Sequence, residues 1–459
     1  MSAGTGRGIA GRRRHPTLLK MLAEGMSLTV VTAACGTVAP ATMTGEPAPT
    51  AVSTQVPEST TVPSPEPTAG STDQRTPRPV TWEVLQAPAE VRDVISSGDL
   101  LVAVGLAATT PEGDTAGAWT SSDGRAWEPA EVAQPGGTMT AVAGGPGRFV
   151  AVGTVFEGTN GPAAWTSVDG RTWQALPASA FIGSSGYEPG ALEDITAGPG
   201  GDFVAVGSEV GAGGNRAAAW YSPDGLAWTP TGSDLGGDSA GAVVAFGPGY
   251  VAAGWSPGDD GDDRALFWTS PDGRTWEAAP DAEDLHDVGA TPILAAVAQQ
   301  LVAFGSRSHQ FVPTEPIVWT SQDGVTWKRQ AAGGVVGPLP GGSSLASEPP
   351  LATGLAIDGL IGTDDGFVAA GETIAFWPSS GSGPGPRTAR RVVWTSSTGS
   401  RWSLVTELPE VSAVAEADLV LVGPLVVHEG RLLVFGRPTN GGSAPLWRTD
   451  LQSLLAQAN

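Results

Sequence analysis

The sequence predicts an all-β protein, a seven-bladed β-propeller with four-stranded blades, and three observations lead to this fold class. Glycine (65 residues) and proline (39) are abundant, while charged residues make up only 15% of the 459 residues, a balance that favours turns and short strands over helices. A nine-residue motif recurs at intervals of about 45 to 75 residues. Each end of the repeated region carries half of this motif.

The first repeated element is the nine-residue motif, which begins and ends with tryptophan and contains Ser-x-Asp-Gly. Its six internal copies span 119–127, 165–173, 220–228, 268–276, 319–327 and 394–402. In the sixth copy Thr398 stands in place of the aspartate. The x-Asp-Gly sequence predicts a hairpin turn between two strands. We expect the two tryptophans of a copy, such as Trp119 and Trp127, to lie opposite each other across that hairpin.

The second repeated element is a short apolar run that ends in glycine and predicts a buried strand. Its seven copies span 101–105, 149–153, 203–207, 250–254, 301–305, 367–371 and, more loosely, 432–436. An alternating segment such as 193–198 and a short turn come before it, so each unit contains four strands. Four-stranded units in a repeated series are typical of propeller blades. A pair of β-sandwiches, the main alternative, would not produce seven equal units.

The ends of the repeated region predict how the ring closes. Thr81 and Trp82 match the end of the motif, and 446–450 matches its beginning. We therefore expect the N-terminal strand to join the last blade, so that no sheet edge stays free. Fourteen of the sixteen tryptophans lie on repeat positions, and only Trp255 and Trp377 do not.

The sequence divides into four segments: an export signal (1–34), a disordered stalk rich in Pro, Thr and Ser (35–79), the propeller (80–450) and a C-terminal tail (451–459). The signal has a basic stretch before an apolar stretch too short for a permanent membrane span. The run that ends at Cys35 resembles a bacterial lipobox, whose cysteine is lipidated; the alternative is an incidental thiol in a cleaved peptide. The expected location is the outer face of the cytoplasmic membrane through a lipid anchor, or secretion.

Charge and composition limit the partners. The formal net charge of −23 repels phosphates, so we expect no nucleic-acid partner and no membrane contact beyond the anchor. The single cysteine excludes an intrachain disulfide, the four histidines show no ligand spacing, and the acidic run 258–263 lacks EF-hand spacing. We expect a monomer with no cofactor and no metal, and an extracellular glycan or protein as its partner.

The nine-residue motif is similar to the Asp-box (BNR) repeat of the sialidase-like propellers, Ser-x-Asp-x-Gly-x-Thr-Trp, although it is one residue shorter between Asp and Trp. The resemblance covers about 82 to 450. It implies a propeller and raises two alternative functions, a divergent sialidase-like glycoside hydrolase and an assembly scaffold for envelope complexes. Sialidases resemble one another in an arginine triad, a Tyr–Glu pair and an acid/base aspartate, but their Phe/Tyr-Arg-Ile-Pro motif does not occur in this sequence.

The aspartates of the motif are predicted to be structural. Each can accept backbone N–H bonds inside its turn, next to a glycine that supplies positive φ. A catalytic site needs a single arrangement of side chains, whereas this aspartate recurs in five copies: Asp123, Asp169, Asp224, Asp272 and Asp323.

The predicted binding face is the one opposite these turns, because loop length varies there. Its candidates are exposed aromatic side chains, which stack on sugars or anchor proteins, a histidine in a variable loop, and one basic cluster. We expect Tyr187 and the three arginines of the basic cluster, Arg387, Arg390 and Arg391, to lie in loops. The candidates are Tyr187, Trp255, His309, Trp377, Arg387, Arg390 and Arg391. The sequence predicts a non-catalytic binding module, with no catalytic residue assigned.

Overall fold

A computed structural model describes residues 80–457 with internal gaps, and nothing is described of 1–79, 458 and 459. The gaps are 111–112, 134–135, 156–160, 182, 185, 232–234, 259–262, 290, 310–311, 331–351, 377–386, 411–419 and 439–443. The predicted export signal, the stalk and Cys35 therefore lie outside the described residues.

The described strands form seven antiparallel blades in a ring, which confirms the predicted seven-bladed propeller. The strands of blades one to three are β2 (Glu90–Ser97), β3 (Leu100–Thr110), β4 (Gly113–Ser121), β5 (Glu128–Pro129); β6 (Glu131–Val132), β7 (Thr138–Gly145), β8 (Arg148–Val155), β9 (Gly161–Ser167), β10 (Thr172–Ala175); and β11 (Tyr187–Ala197), β12 (Phe203–Gly211), β13 (Gly214–Ser222), β14 (Thr229–Thr231). Short β6 pairs in parallel with β10 and gives blade two a fifth strand.

The remaining four blades repeat the pattern, and the last one takes its outer strand from the start of the propeller. Their strands are β15 (Ser239–Phe246), β16 (Gly249–Ser256), β17 (Arg264–Ser270), β18 (Glu277–Ala278); β19 (Ile293–Val297), β20 (Gln300–His309), β21 (Val312–Ser321), β22 (Lys328–Gln330); β23 (Ala352–Thr363), β24 (Gly366–Phe376), β25 (Arg387–Ser396), β26 (Ser403–Glu407); and β27 (Val420–His428), β28 (Arg431–Pro438), β29 (Pro445–Asp450), β1 (Glu83–Gln86). The inner strands β2, β7, β11, β15, β19, β23 and β27 contact their neighbours all round the ring.

The ring closes in blade seven as the sequence predicted. Strand β1 pairs antiparallel with β29, with Glu83 opposite Arg448. The Glu83 carboxylate accepts hydrogen bonds from Arg448 Nη1 at 3.1 Å and from Arg125 Nε, in the blade-one turn, at 3.0 Å. The Thr449 hydroxyl donates to the Thr81 carbonyl at 2.9 Å. The N-terminal strand therefore supplies the fourth strand of blade seven and ties this blade to blade one.

A short helix, α1 (Leu451–Leu455), begins directly after β29, in the segment that the sequence analysis assigned to a tail. Asp450 caps it by accepting the Ser453 N–H at 2.9 Å. Leu451 and Leu454 are buried against blades six and seven. Two 3₁₀ turns, Ala178–Ala180 and Glu283–Leu285, lie between blades. Among the described residues, no helix has the length and hydropathy needed to cross a bilayer.

The hydrophobic core consists of seven clusters of described residues, and each cluster joins two adjacent blades. The tryptophans of a blade pack on the blade before it. Trp173, fully buried, packs with Val102 and Ala118 of blade one. The Trp327 ring stacks on Phe267 of blade four with 3.9 Å between centroids. Because the gap between blades widens outward, large rings near the outer strands fill it.

The predicted pairing of the two motif tryptophans across a tight hairpin is wrong. Trp119 lies opposite Pro129, and strand pairing resumes only at Glu128. The chain between Ser121 and Glu128 forms a wider turn, closed by side-chain hydrogen bonds that a two-residue hairpin does not need. Trp127 therefore lies inside the turn and contacts Phe435 of blade seven edge-on at 5.6 Å.

Candidate functional site

The propeller has two unlike faces. The turn face carries the Ser-x-Asp-Gly turns and the turns between first and second strands; His428, at the end of inner strand β27, lies 3.2 Å from the carbonyl of Ser122 in such a turn. The loop face carries the opposite strand ends, including the loops of most variable length. The two faces are joined by a central channel, which the seven inner strands surround.

On the turn face, the five motif aspartates accept backbone hydrogen bonds. Asp272 Oδ1 accepts the N–H groups of Thr275 and Arg274, each at 2.8 Å. These two bonds, that of Thr275 first, hold the pKa of the Asp272 carboxyl below its ordinary value. Thr398, in the sixth copy, accepts only weakly from Ser400 N at 3.4 Å. Such geometry stabilises a turn, which is consistent with the predicted structural role.

Tyr187 is not a loop residue, contrary to the prediction. It is the first residue of inner strand β11, and the Arg216 guanidinium lies 3.6 Å from its ring centroid. Arg216 Nη2 also pairs with Glu209 at 2.8 Å, and that carboxylate is only 1% exposed. Tyr187 thus covers an ion pair at the loop end of blade three, which a sequence search for exposed tyrosines could not reveal.

The predicted basic loop cluster is also wrong, because strand β25 begins at Arg387 and includes all three arginines. Adjacent strand residues point to opposite faces of a sheet. Arg390 Nη1 pairs with Glu407 on outer strand β26 at 2.9 Å. Arg391 Nε instead donates to the Val420 carbonyl of blade seven at 2.8 Å. Arg390 and Arg391 therefore do not converge on one ligand; the Arg387 side chain is not described.

Trp255 lies on strand β16 rather than in a loop. Its indole Nε1 donates to the Val288 carbonyl at 3.1 Å, and the side chain is half-buried. Trp255 therefore packs against the loop that leads to blade five. His309 is the last residue of β20, but its side chain is not described, and Trp377 lies outside the described residues.

The structure reveals a different group of residues, at β-bulges on the inner strands. Register shifts place one extra residue in several of these strands. The extra residues are Arg92, Thr140, Glu193, Gly241 and Asp358. Arg92 and Glu193 are exposed although their strands contact neighbours on both sides. They therefore face the central channel, toward its loop side.

The residues directly after two of these bulges join neighbouring blades. Asp93 Oδ2 accepts the Val142 N–H of blade two at 2.8 Å. Asp194 Oδ2 accepts the Val243 N–H of blade four at 2.7 Å. Burial raises the pKa of Asp93 to about 6 and that of Asp194 to about 7, the latter with help from the Asp93 charge. Both carboxyls thus hold inner strands together while they titrate near neutral pH.

Blade six contributes a pair of carboxyl groups. Glu372, with no exposed surface, accepts the Val422 N–H of blade seven through Oε1. Its Oε2 and Asp358 Oδ2 are buried, and neither has an N–H or O–H donor among the described residues. Burial, and then the charge and hydrogen bond of Asp358, raise the pKa of Glu372 well above its ordinary value. The positive charge of Arg391 opposes this rise in the pKa of Glu372.

Together, the loop side of the channel presents the Arg92 guanidinium and the Glu193 carboxyl to solvent, and Asp358 lies half-buried at the corresponding bulge of blade six. Asp93, Asp194 and Glu372 lie behind these residues. Although the Glu193 side chain keeps contact with solvent, the protein around it in the channel desolvates its carboxylate and raises its pKa, against the opposing charge of Arg92. Such a set can accept and donate hydrogen bonds to hydroxyl or ammonium groups. No group of three or more metal-ligating side chains occurs in the part of the chain that the structure describes.

Sequence reasoning did not find this group, because bulges leave no trace in the spacing of the repeat. One signal was present: charged pairs at 92–93 and 193–194 stand where the inner strands of blades two and four carry Thr140-Ala141 and Gly241-Ala242. A charged side chain on an inner strand can contact water only in the channel. An alignment of the units against one another would have singled these pairs out.

The similarity to known proteins is a similarity of fold alone. No protein-family model matches the sequence, and no curated protein matches it either. The structure is similar to a Trypanosoma rangeli sialidase in complex with sialic acid (12% identity, TM-score 0.41, over 82% of this chain and 55% of that one). It is also similar to the endosialidase of phage phi92 (10% identity, TM-score 0.42, over 81% of this chain and 68% of that one). A Hadza microbial sialidase is similar as well (12% identity, TM-score 0.40, over 80% of this chain and 66% of that one). The chain thus spans about half the length of the trypanosome enzyme.

Proposed function

We propose that the protein is an exported, non-catalytic binding module that holds an extracellular glycan or protein at the loop-side mouth of its channel. It is held at the outer face of the cytoplasmic membrane through a lipid on Cys35, or is secreted. The observation that carries the proposal is the pair of unrepeated charged residues, Arg92 and Glu193, exposed at bulges of the inner strands, with Asp358 half-buried at the bulge of blade six.

The chemistry of the mouth favours particular ligands. Carboxylates outnumber guanidinium groups there, and the chain carries a net charge of −23, so anionic ligands are repelled. Hydroxyl groups can donate to Glu193 and Asp358 and accept from Arg92. A neutral or amine-bearing glycan fits these donors and acceptors, and so does a basic segment of a protein.

Binding is favoured over hydrolysis because the residues that a sialidase-like site would use lie apart. Arg390 and Arg391 point to opposite faces of β25, and Tyr187 covers the Arg216–Glu209 pair. Glu372, whose pKa burial raises well above its ordinary value, has no exposed surface with which to touch a substrate. The glycoside hydrolase and the assembly scaffold remain as outcomes of the test.

The test is a glycan array together with capture from a defined mixture of extracellular proteins, both with the full-length protein. We expect saturable binding of a glycan or protein, with an affinity at least tenfold weaker in Arg92→Met and in Glu193→Gln. Asp272→Asn, on the turn face, is the matched control and retains binding. Turnover of a fluorogenic glycoside panel that Asp358→Asn abolishes supports the hydrolase instead. Capture of envelope-complex subunits that is insensitive to the channel variants supports the scaffold.

The anchor is tested separately. Labelling with radioactive palmitate in a bacterial host that processes lipoproteins should mark the wild-type protein and not Cys35→Ser, and the variant should move from the membrane fraction to the medium. An unlabelled wild-type protein in the medium would leave secretion as the location and contradict the anchor.

A further inference from the structure

A second cavity lies at the loop-side end of blade four, away from the central channel. It has a volume of about 410 Å³, within the range of ~300–1,000 Å³ found for small-molecule sites. Its walls come from the ends of strands β16 and β17 and from the loops before and after the blade. The cavity in the channel itself, toward the turn face, is smaller, about 320 Å³.

One wall of the blade-four cavity is apolar. Leu266 is half-buried in this wall, and it packs with Leu235 and Trp268, which are 7% and 1% exposed. Because these side chains are held by the packing of blade four on its neighbours, the wall is rigid. It can cover the C–H face of a small ring without paying for side-chain ordering.

The opposite wall carries a donor beside an acceptor. Arg264 Nη1 pairs with Asp281 Oδ2 at 3.3 Å, and His286 Nε2 lies 2.9 Å from Asp281 Oδ1. The hydrogen bond with His286 holds the pKa of Asp281 below its ordinary value, so the carboxyl is ionised at neutral pH. Arg264 Nε is buried and has no hydrogen-bond acceptor among the described residues. The side chain as a whole is 39% exposed, so its terminal N–H groups can donate to a ligand oxygen in the cavity.

The charge around the cavity decides the ligand class. Glu283 and Asp284 are exposed beside it on a 3₁₀ turn, so anionic ligands are repelled. The Arg264 guanidinium at the rim already pairs with Asp281, so this carboxylate does not need a ligand cation to balance its charge. A neutral ligand with hydroxyl groups can accept from Arg264 and donate to Asp281, with its apolar face on Leu266. Sugars without a charged group have this combination.

We propose that the blade-four cavity is a binding site for a neutral saccharide of one or two rings, independent of the channel. Arg264 and Asp281 fix its hydroxyl groups, and the wall at Leu266 covers its ring. The site does not rest on the function proposed for the channel, because it shares no residue with it.

The test uses ligand-observed NMR and calorimetry on the full-length protein, with glucose, galactose, mannose, N-acetylglucosamine and their β-linked disaccharides as probes. N-acetylneuraminic acid and glucosamine are the charged comparisons. We expect saturable binding of at least one neutral probe, weaker by at least tenfold in Arg264→Met and unchanged in Arg171→Met, an exposed arginine on the turn face. Asp281→Asn, whose side chain is 61% exposed in the wild type, gives a second variant if Arg264→Met does not fold, with an expected loss of at least threefold.

Glu193→Gln separates the two sites. Neutral-sugar binding that persists in this channel variant and is lost in Arg264→Met supports the cavity site, whatever the array shows for the channel. Binding that is lost in Glu193→Gln and retained in Arg264→Met overturns the cavity site and leaves the channel function standing. The absence of saturable binding by every neutral probe, or tighter binding of N-acetylneuraminic acid, also overturns it.

Discussion

Asp272 on the turn face and Asp194 beside the channel make similar hydrogen bonds, yet their acidities shift in opposite directions. Asp272 accepts two backbone N–H groups within its own turn, whereas Asp194 accepts one from Ile195 and one from Val243 of the next blade. The pKa of Asp272 is lowered, and that of Asp194 is raised to about 7.

The surroundings explain the difference. Water remains in contact with the exposed Asp272 carboxylate, so its two hydrogen bonds dominate. Asp194 loses hydration and lies near two further acids, Asp93 and Glu193, which together outweigh its hydrogen bonds. The aspartate repeated in five turns therefore stabilises its turn while its carboxylate stays hydrated. The aspartate beside the channel loses hydration and is repelled by other acids, so its charged form is destabilised. Such destabilisation is more typical of a functional region than of a structural repeat.

The first prediction concerns the repeated turns and carries the largest effect. Trp173→Ala removes a fully buried ring that fills the space between blades one and two, so we expect a loss of about 4 kcal/mol in the free energy of unfolding. Urea denaturation measures it, with Trp173→Phe losing less. Val168→Ala, at an exposed position in the same turn, is the control and should change little. A Trp173→Ala variant as stable as that control would contradict the packing role.

The second prediction concerns the channel. Asp194→Ala leaves the N–H groups of Ile195 and Val243 without an acceptor, and we expect a loss of about 3 kcal/mol, since an unsatisfied buried donor costs about 1 to 3 kcal/mol. Asp194→Asn keeps an acceptor oxygen and should lose less. Equal stability of Asp194→Ala and the wild type in urea would show that the inter-blade bond contributes nothing.

The third prediction is a pH dependence that separates the two regions. Folding raises the pKa of Asp93 and Asp194 from an ordinary value of 3.8 to about 6 and about 7. The folded protein therefore binds more protons than the unfolded chain between about pH 4 and 7. The free energy of unfolding should fall as the pH rises through this window. The stabilisation from the turn aspartates, whose pKa is lowered, should instead be lost below about pH 4.

Urea titrations at a series of pH values check this dependence. The double variant Asp93→Asn, Asp194→Asn should lose the slope between pH 4 and 7, and Asp272→Asn should keep it. A wild-type protein whose stability rises with pH across this window would mean that both channel carboxyls are ordinary acids in the folded state.

The fourth prediction has the smallest effect. Asp272→Asn weakens two hydrogen bonds in one exposed turn, and we expect a loss of about 1 kcal/mol. The same substitution at Asp169 should give a similar value, because the turns share their geometry. Thermal unfolding of both variants measures it, and a loss as large as that of Asp194→Ala would remove the distinction between the regions.

The sequence predicted the fold through its largest residues. Tryptophans at fixed intervals mark the blades because each ring fills the same inter-blade space, and Trp82 marks the closing strand for the same reason. The predicted pairing of Trp119 with Trp127 was wrong because Ser121 and Asp123 hold a wider turn than the x-Asp-Gly sequence indicates.

The site was harder to predict, since it depends on which strands are innermost and on where they bulge. Three arginines near 390 suggested a loop cluster, yet β25 extends through them and separates Arg390 from Arg391. Arg92 and Glu193 are distant in sequence and come near each other only because blades one and three flank one channel. Composition and spacing contain no information on such proximity.

The central claim is that the unrepeated channel residues bind the ligand and the repeated turns hold the fold. Its most direct test measures affinity and stability side by side for Glu193→Gln and Asp272→Asn, with the ligand that the array or capture identifies. We expect at least tenfold weaker binding with unchanged stability for Glu193→Gln, and unchanged binding with reduced stability for Asp272→Asn. Full binding by Glu193→Gln together with loss of binding by Asp272→Asn would contradict it.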